Sequence, residues 1–343
     1  MDTSSRSLHN IVFTMLDSSV LTEPDGIHLM SEYQYYEFAA VDQPLTAQQQ
    51  NDLRARSSRA TITSNNFINE YHWGDLRGDP MEWMQRYFDA HLYSANWGHC
   101  LLMLKLPVAC LDKTMLDACL QPADTDVFEA SFNAQHCILT WSFNDETRDH
   151  DRFWRQDDGP GWLSRLLPLR QELLRGDTRP LYLGWLARLC AGELGGENME
   201  PPLPPGLETL TPAQQALVEF LEIDPDWLQA AAADSPTGNT ETEADYDLWL
   251  EQQSPAELRA AARLLLEGRS LEAECSLNRH FLDWQRDYRP QMETSPRRTV
   301  AQIATDYTAA REQRLELEQR TRAKAEAKRL AERNARLAKL AAD

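Results

Sequence analysis

The side chains best suited to chemistry fall in one short run, Asn69-Glu70-Tyr71-His72-Trp73-Gly74-Asp75-Leu76-Arg77-Gly78-Asp79. Glu70, His72 and Asp75 are the residue types of general acid–base work, and the imidazole titrates near neutral pH. The same run has a plainer reading. Tyr71 and Trp73 would pack in a core, Asp75 would pair with Arg77 at the surface, and Gly74 and Gly78 would shape a turn. A functional version of this run suits recognition better than catalysis. Tyr71, Trp73 and Arg77, with Trp97 further along, are therefore the binding candidates of the globular part. Glu70, His72 and Asp75 stand as the catalytic alternative, that of a hydrolase or transferase with its site near residues 69–79.

Elsewhere the grammar of catalysis is missing. The sequence holds no Gly-x-x-x-x-Gly-Lys-Ser/Thr loop, no Gly-x-Gly-x-x-Gly, no Gly-x-Ser-x-Gly and no His-Glu-x-x-His. His99-Cys100 and His136-Cys137 fall on expected strands, where neighbours point to opposite faces, so four ligands do not converge. No metal and no cofactor are expected, and an enzyme is the less favoured class. None of the six cysteines forms a Cys-x-x-Cys pair. They read as free thiols of a cytoplasmic protein.

Charge is unevenly spread. The formal net charge is -20, yet residues 311–343 hold 10 Lys+Arg against 6 Asp+Glu. An acidic body repels nucleic-acid backbones and anionic membrane surfaces. The basic tail has the opposite sign. Arg329, Arg333 and Arg336 are its binding candidates, for an acidic protein face or, through the tail alone, for nucleic acid. It lacks aromatic residues for base stacking and an apolar stripe for lipid. No run of about 18 apolar residues is present, so no membrane partner is expected.

The elements that must position these residues are partly written in the chain. Residues 1–29 lack periodicity and read as a disordered leader, or as an extension upstream of a true start at Met30. Residues 30–144 read as an α+β domain. Tyr33 to Val41 is strand-like, and Thr46-Ala47-Gln48-Gln49 is a capping box opening a helix to about Ser57. Short strands follow at 60–63 and 67–71. Asp79-Pro80 caps a second helix, which Met84, Phe88 and Leu92 carry at four-residue spacing to about Asn96-Trp97-Gly98. Strands are expected at 99–106, 127–133 and 135–143. The order is that of a ferredoxin-like sandwich with extra strands.

Residues 145–160 read as a linker and 161–298 as a helical domain. Capping boxes stand at Thr211 and Ser254, and a cap with Pro at Asp224-Pro225. Residues 232–246 read as a mobile loop. From 299 to 343 one long basic helix is expected. Ala323, Ala327, Leu330, Asn334, Leu337 and Ala341 mark a short heptad seam along it, the candidate site of homo-oligomer contact.

Three stretches, Asn69-Glu70-Tyr71-His72-Trp73-Gly74-Asp75, Tyr87 to Tyr93 with Asn96-Trp97-Gly98, and Arg179 to Leu186, resemble an uncharacterised bacterial protein family. The resemblance spans roughly Met30 to the tail. It implies a bacterial, cytoplasmic protein and carries no activity. Taken together, the expectation is a non-enzymatic interaction or scaffold protein whose tail tethers or oligomerises it.

Overall fold

The computed structural model describes residues 32–145, 159–236, 243–288 and 297–340. The expected leader at 1–29 lies outside the described residues, as do most of the expected linker (146–158) and the middle of the expected loop (237–242).

Seven strands form one sheet in the order β2-β3-β1-β4-β5-β7-β6. They are β1 (Gln34–Ala39), β2 (Thr61–Ile62), β3 (Asn66–Tyr71), β4 (Ala90–Ala95), β5 (His99–Pro107), β6 (Phe128–Phe132) and β7 (His136–Asn144). The order along the chain is the expected strand, helix, two short strands, helix, strand. The pairing is not ferredoxin-like. Such a fold sets parallel strands side by side, whereas every pairing here is antiparallel.

Alternation along the strands feeds two cores. Tyr33, Tyr35, Leu92, Leu102, Leu104, Leu139 and Trp141 face one cluster. Tyr36, Phe38, Tyr93, Met103 and Ile138 face the other. Helices α1 (Ala47–Arg56) and α2 (Pro80–Arg86) close the second face with Leu53, Trp83 and Met84. The first face is closed by α3 (Lys113–Cys119), α4 (Trp162–Leu166), α5 (Pro168–Leu174), α6 (Arg179–Cys190), α7 (Pro212–Phe220) and α8 (Pro225–Ala232). A sheet covered on both faces has strands apolar on both sides.

That double burial explains a correction. The helix expected from Pro80 to about Asn96 ends at Arg86, and the chain returns as central strand β4. All six β4 residues are buried, so no polar alternation announces a strand. Met84 and Phe88 do share a core, but Leu92 belongs to the opposite one. Asp89 fixes the turn. Its carboxylate accepts the Val41 and Asp42 amides at 2.8 and 2.9 Å and pairs with Lys105 at 3.0 Å. Burial alone would raise this carboxyl, but Lys105 and the two amides outweigh it and hold it below the usual carboxylate range.

His91, 1% exposed, stacks on Phe38 with ring centroids 3.8 Å apart, its Nδ1 3.0 Å from the Glu37 carbonyl. Burial pushes the imidazole down to about 3, while the bond to Glu37 opposes that fall. The unfolded chain therefore takes up a proton that the folded chain refuses. The stabilising effect is complete above about pH 6.5 and is lost as pH falls towards 3, at up to about 1.4 kcal/mol per pH unit. His91→Phe keeps the stack and should flatten this slope. Urea midpoints of both proteins between pH 7 and 4 check it, with parallel curves as the contrary result. Half-buried His99 and His136 shift in the same direction and add to the slope.

The helical array ends in α9 (Glu243–Gln252), α10 (Pro255–Leu266), α11 (Ser270–Tyr288) and α12 (Val300–Leu340). The capping boxes at Thr46, Thr211 and Ser254 all form, and Asp224 caps α8. The expectation of six free thiols is corrected. Cys110, in the short 3-10 turn after β5, is joined to Cys275 on α11, with Cα atoms 5.0 Å apart. Sequence could not show this, because the partners lie 165 residues apart and only the packing of α11 on that turn brings them together. Cys100, Cys119, Cys137 and Cys190 are not disulfide-bonded.

Candidate functional site

The singled-out residues of the globular part gather at one end of the sheet. Gln34 at the start of β1 lies opposite Tyr71 at the end of β3 and opposite Ala95 at the end of β4. Ala95 in turn faces His99, and His99 faces Asn144. The loop after Tyr71, Trp97 and the end of β7 therefore share one rim.

The loop from His72 to Asp79 is held from below. Gln34 donates its amide to the Gly74 carbonyl at 3.0 Å. Tyr36 donates its hydroxyl to the Asp75 carboxylate at 2.7 Å, and Asp75 also accepts the Leu76 amide. Burial, and then the bond to Asp75, push the Tyr36 phenol well above its ordinary value, so it remains a donor. Asp75 is thus tied to Tyr36 rather than to Arg77. Tyr71 packs edge-on against Tyr36, and His72 lies tilted against Tyr33 at 5.5 Å.

Trp73 is not core. It is 81% exposed, an indole displayed on a braced loop. Arg77, on the same loop, is exposed as well. Among the described residues, no hydrogen bond or ion pair joins Glu70, His72 and Asp75 to one another. Glu70 sits on β3, His72 is on the open loop, and Asp75 is engaged below. The three have no mutual geometry for proton transfer. The loop can present an aromatic anchor, and such indoles dominate the binding energy of protein interfaces.

Next to it along the rim lies a cleft of about 920 Å³ that sequence reasoning missed, apart from Trp97. Its wall joins the sheet end (Trp97, His99, Ser142, Asn144), the end of α6 (Cys190, Ala191), the turn Leu221 to Asp224, and the pair Trp227 and Tyr307. Trp227 and Tyr307 stack at 4.2 Å, and Tyr307 donates its hydroxyl to Asp224 at 3.1 Å. Burial pushes the Cys190 thiol up to about 11 and the His99 imidazole down, so neither is set up as nucleophile or acid. Among the described residues, no group of three His, Cys, Asp or Glu side chains is arranged to hold a metal. No described helix is long and apolar enough to cross a membrane.

Tyr307 belongs to α12, the expected basic tail, and the root of that helix is firmly seated. Arg298 makes two bonds to the buried Glu200 carboxylate at 2.8 and 2.9 Å and also pairs with Asp234 and Asp306. Tyr182 donates to the same Glu200 at 2.6 Å. Thr299 and Gln302 form a capping box at the first turn. Val300, Ile303 and Ala310 are buried. Arg314 grips Asp226 with two bonds of 2.8 Å, and that hydrogen bonding holds the Asp226 carboxyl below its usual range. So the tail packs against its own body up to Arg314.

Beyond that point the helix leaves the body. Every residue from Leu315 to Asn334 is exposed, with Leu315 42%, Leu317 65% and Leu330 57% accessible. Arg329 and Arg333 lie on this stretch, exposed. The side chain of Arg336 lies outside the described residues. At about 1.5 Å per residue the projecting part to Leu340 is roughly 40 Å long. Pairs such as Arg320 with Glu316 and Arg322 with Glu326 lace its surface. Compared with known proteins, the chain matches no family model, no curated protein and no solved structure, so the resemblance of its three stretches rests on those residues alone.

Proposed function

We propose that this chain is a non-enzymatic interaction protein, in which a rigid α+β body carries a projecting basic helix that holds another macromolecule. One observation carries the reading. A helix clamped at its root by Arg298, Tyr307 and Arg314 runs on for twenty residues, Leu315 to Asn334, with nothing among the described residues to cover it. In proteins most helical stability comes from packing one face on something, so a stretch like this suits a partner. The braced Trp73 loop is a second contact point on the same molecule.

Catalysis at residues 69–79 finds no support in the arrangement of Glu70, His72 and Asp75. Nucleic acid stays the alternative partner for the helix, by backbone contact alone. A cytoplasmic setting remains part of this reading. Buried thiols at Cys100, Cys119 and Cys137 fit it, and the Cys110–Cys275 bond is the feature that speaks against it.

Removal of residues 319–343 is the test. The cut falls beyond Arg314, so circular dichroism and melting of the body should be unchanged. Proteins that co-purify with the full chain from its native cells should be lost. An unchanged set of partners removes the proposal. Retention of the full chain on DNA that vanishes with salt and with the helix would instead favour nucleic acid.

A further inference from the structure

Val300, Ile303, Tyr307, Ala310 and Arg314 step by three and four along α12 and point into the body. At 100° per residue, Thr308, Glu312 and Leu315 lie about 100–160° round the helix from that seated face, all exposed. The same face continues outward through Gln319, Ala323, Glu326, Leu330 and Arg333, also exposed. One unobstructed strip therefore runs past the seated root and along the projecting part.

The charges on this helix are graded. Residues 306–318 hold four acidic side chains and two basic ones, whereas residues 320–339 hold eight Lys+Arg and two Glu. Arg314, one of the two basic groups near the root, is already neutralised by Asp226. Two such helices side by side in the same direction would set basic half against basic half. Reversed, each basic half lies along the acidic root of the other. The helix is thus complementary to itself in one direction only.

We infer that the partner of this helix is a second copy of the chain, paired antiparallel along the outer face of α12, with Leu315 level with Leu330. This deepens the interaction reading and rests on it. In that register Glu312 lies level with Arg333, and two-fold symmetry repeats both pairings. The strip is otherwise polar, with Gln319 level with Glu326, so the association is salt-dependent and lacks the leucine core of a strong coiled coil.

Sedimentation velocity and light scattering on the full chain test this, at about 50 mM and about 500 mM salt. A dimer is expected at low salt, shifting to monomer at high salt. Glu312→Arg or Arg333→Glu alone places two like-charge contacts in each symmetric dimer and should weaken it about tenfold. Both residues are exposed, so the body should melt as before. Glu312→Arg and Arg333→Glu combined in one chain should restore the dimer. An equimolar mixture of the two single variants should give heterodimers tighter than either homodimer. A chain that stays monomeric up to about 100 μM at low salt overturns the inference. A dimer indifferent to both charge reversals overturns it too. Either outcome leaves the truncation result, and the broader interaction reading, to stand or fall separately.

Discussion

Arg188→Met is expected to cost about 3–5 kcal/mol of stability, the loss typical when one partner is removed from a buried charged cluster. Arg188 is fully buried on α6. Its guanidinium donates to the Glu193 carboxylate at 3.0 Å, to the Cys119 carbonyl at 2.8 Å, to the Gln121 carbonyl at 3.3 Å and to the Pro122 carbonyl at 2.6 Å. One side chain thus ties the end of α3 and the loop after it to α6 and to the turn that carries Glu193. Methionine fills similar volume but leaves those acceptors without a donor, and an unsatisfied buried acceptor costs its full desolvation. Arg188→Lys keeps the charge yet cannot reach all four acceptors with its single ammonium, so it should fall between. Against a typical domain stability of about 5–15 kcal/mol, the methionine variant loses a large fraction of the total. Urea unfolding checks the order wild type, Lys, Met in midpoint. A methionine midpoint within error of wild type would mean that the cluster holds nothing together.

Gly184→Val should cost about 1–3 kcal/mol, and Gly184→Ala should also destabilise, although alanine is the better helix former by about 1 kcal/mol. The reason is a close approach. A Cβ at Gly184 would stand 2.7 Å from Phe128 Cγ and 2.8 Å from Trp141 Nε1. Both rings are fully buried and stacked on each other at 5.3 Å. Trp141 also donates its indole N–H to the Pro180 carbonyl at 3.3 Å, so it cannot slide without losing that bond. Interiors packed this densely give way only by shifting backbone or leaving rotamer minima. Melting temperatures and tryptophan fluorescence of the alanine and valine variants check the prediction. A stabilised alanine variant would show that the sheet and α6 are not in contact as described.

Much of the local structure was legible. Thr46, Thr211 and Ser254 announced their helices because a capping box is satisfied by residues three apart, whatever the rest of the chain does. Six of the seven strands were expected close to where they lie. Only β4 was taken for helix, since a strand buried on both faces loses the alternation by which strands are recognised. Candidate residues fared less evenly. Trp73, which composition alone would bury, is displayed, and Arg77 does not hold Asp75, because Tyr36 reaches it first. The cleft beside Trp97 draws on the sheet, α6 and α12, segments up to some two hundred residues apart, and no local pattern marks it.

What the sequence by itself determined is the run of elements and the charged, Gly- and Pro-free helix at the end, because capping, periodicity and charge act over a few neighbouring residues. Which strands pair, which cysteines meet, where α12 is seated and where it leaves the body were decided by the tertiary structure alone. Those outcomes depend on contacts between distant segments such as Arg314 with Asp226 or Arg298 with Glu200, whose partners are chosen by the packing of the whole chain.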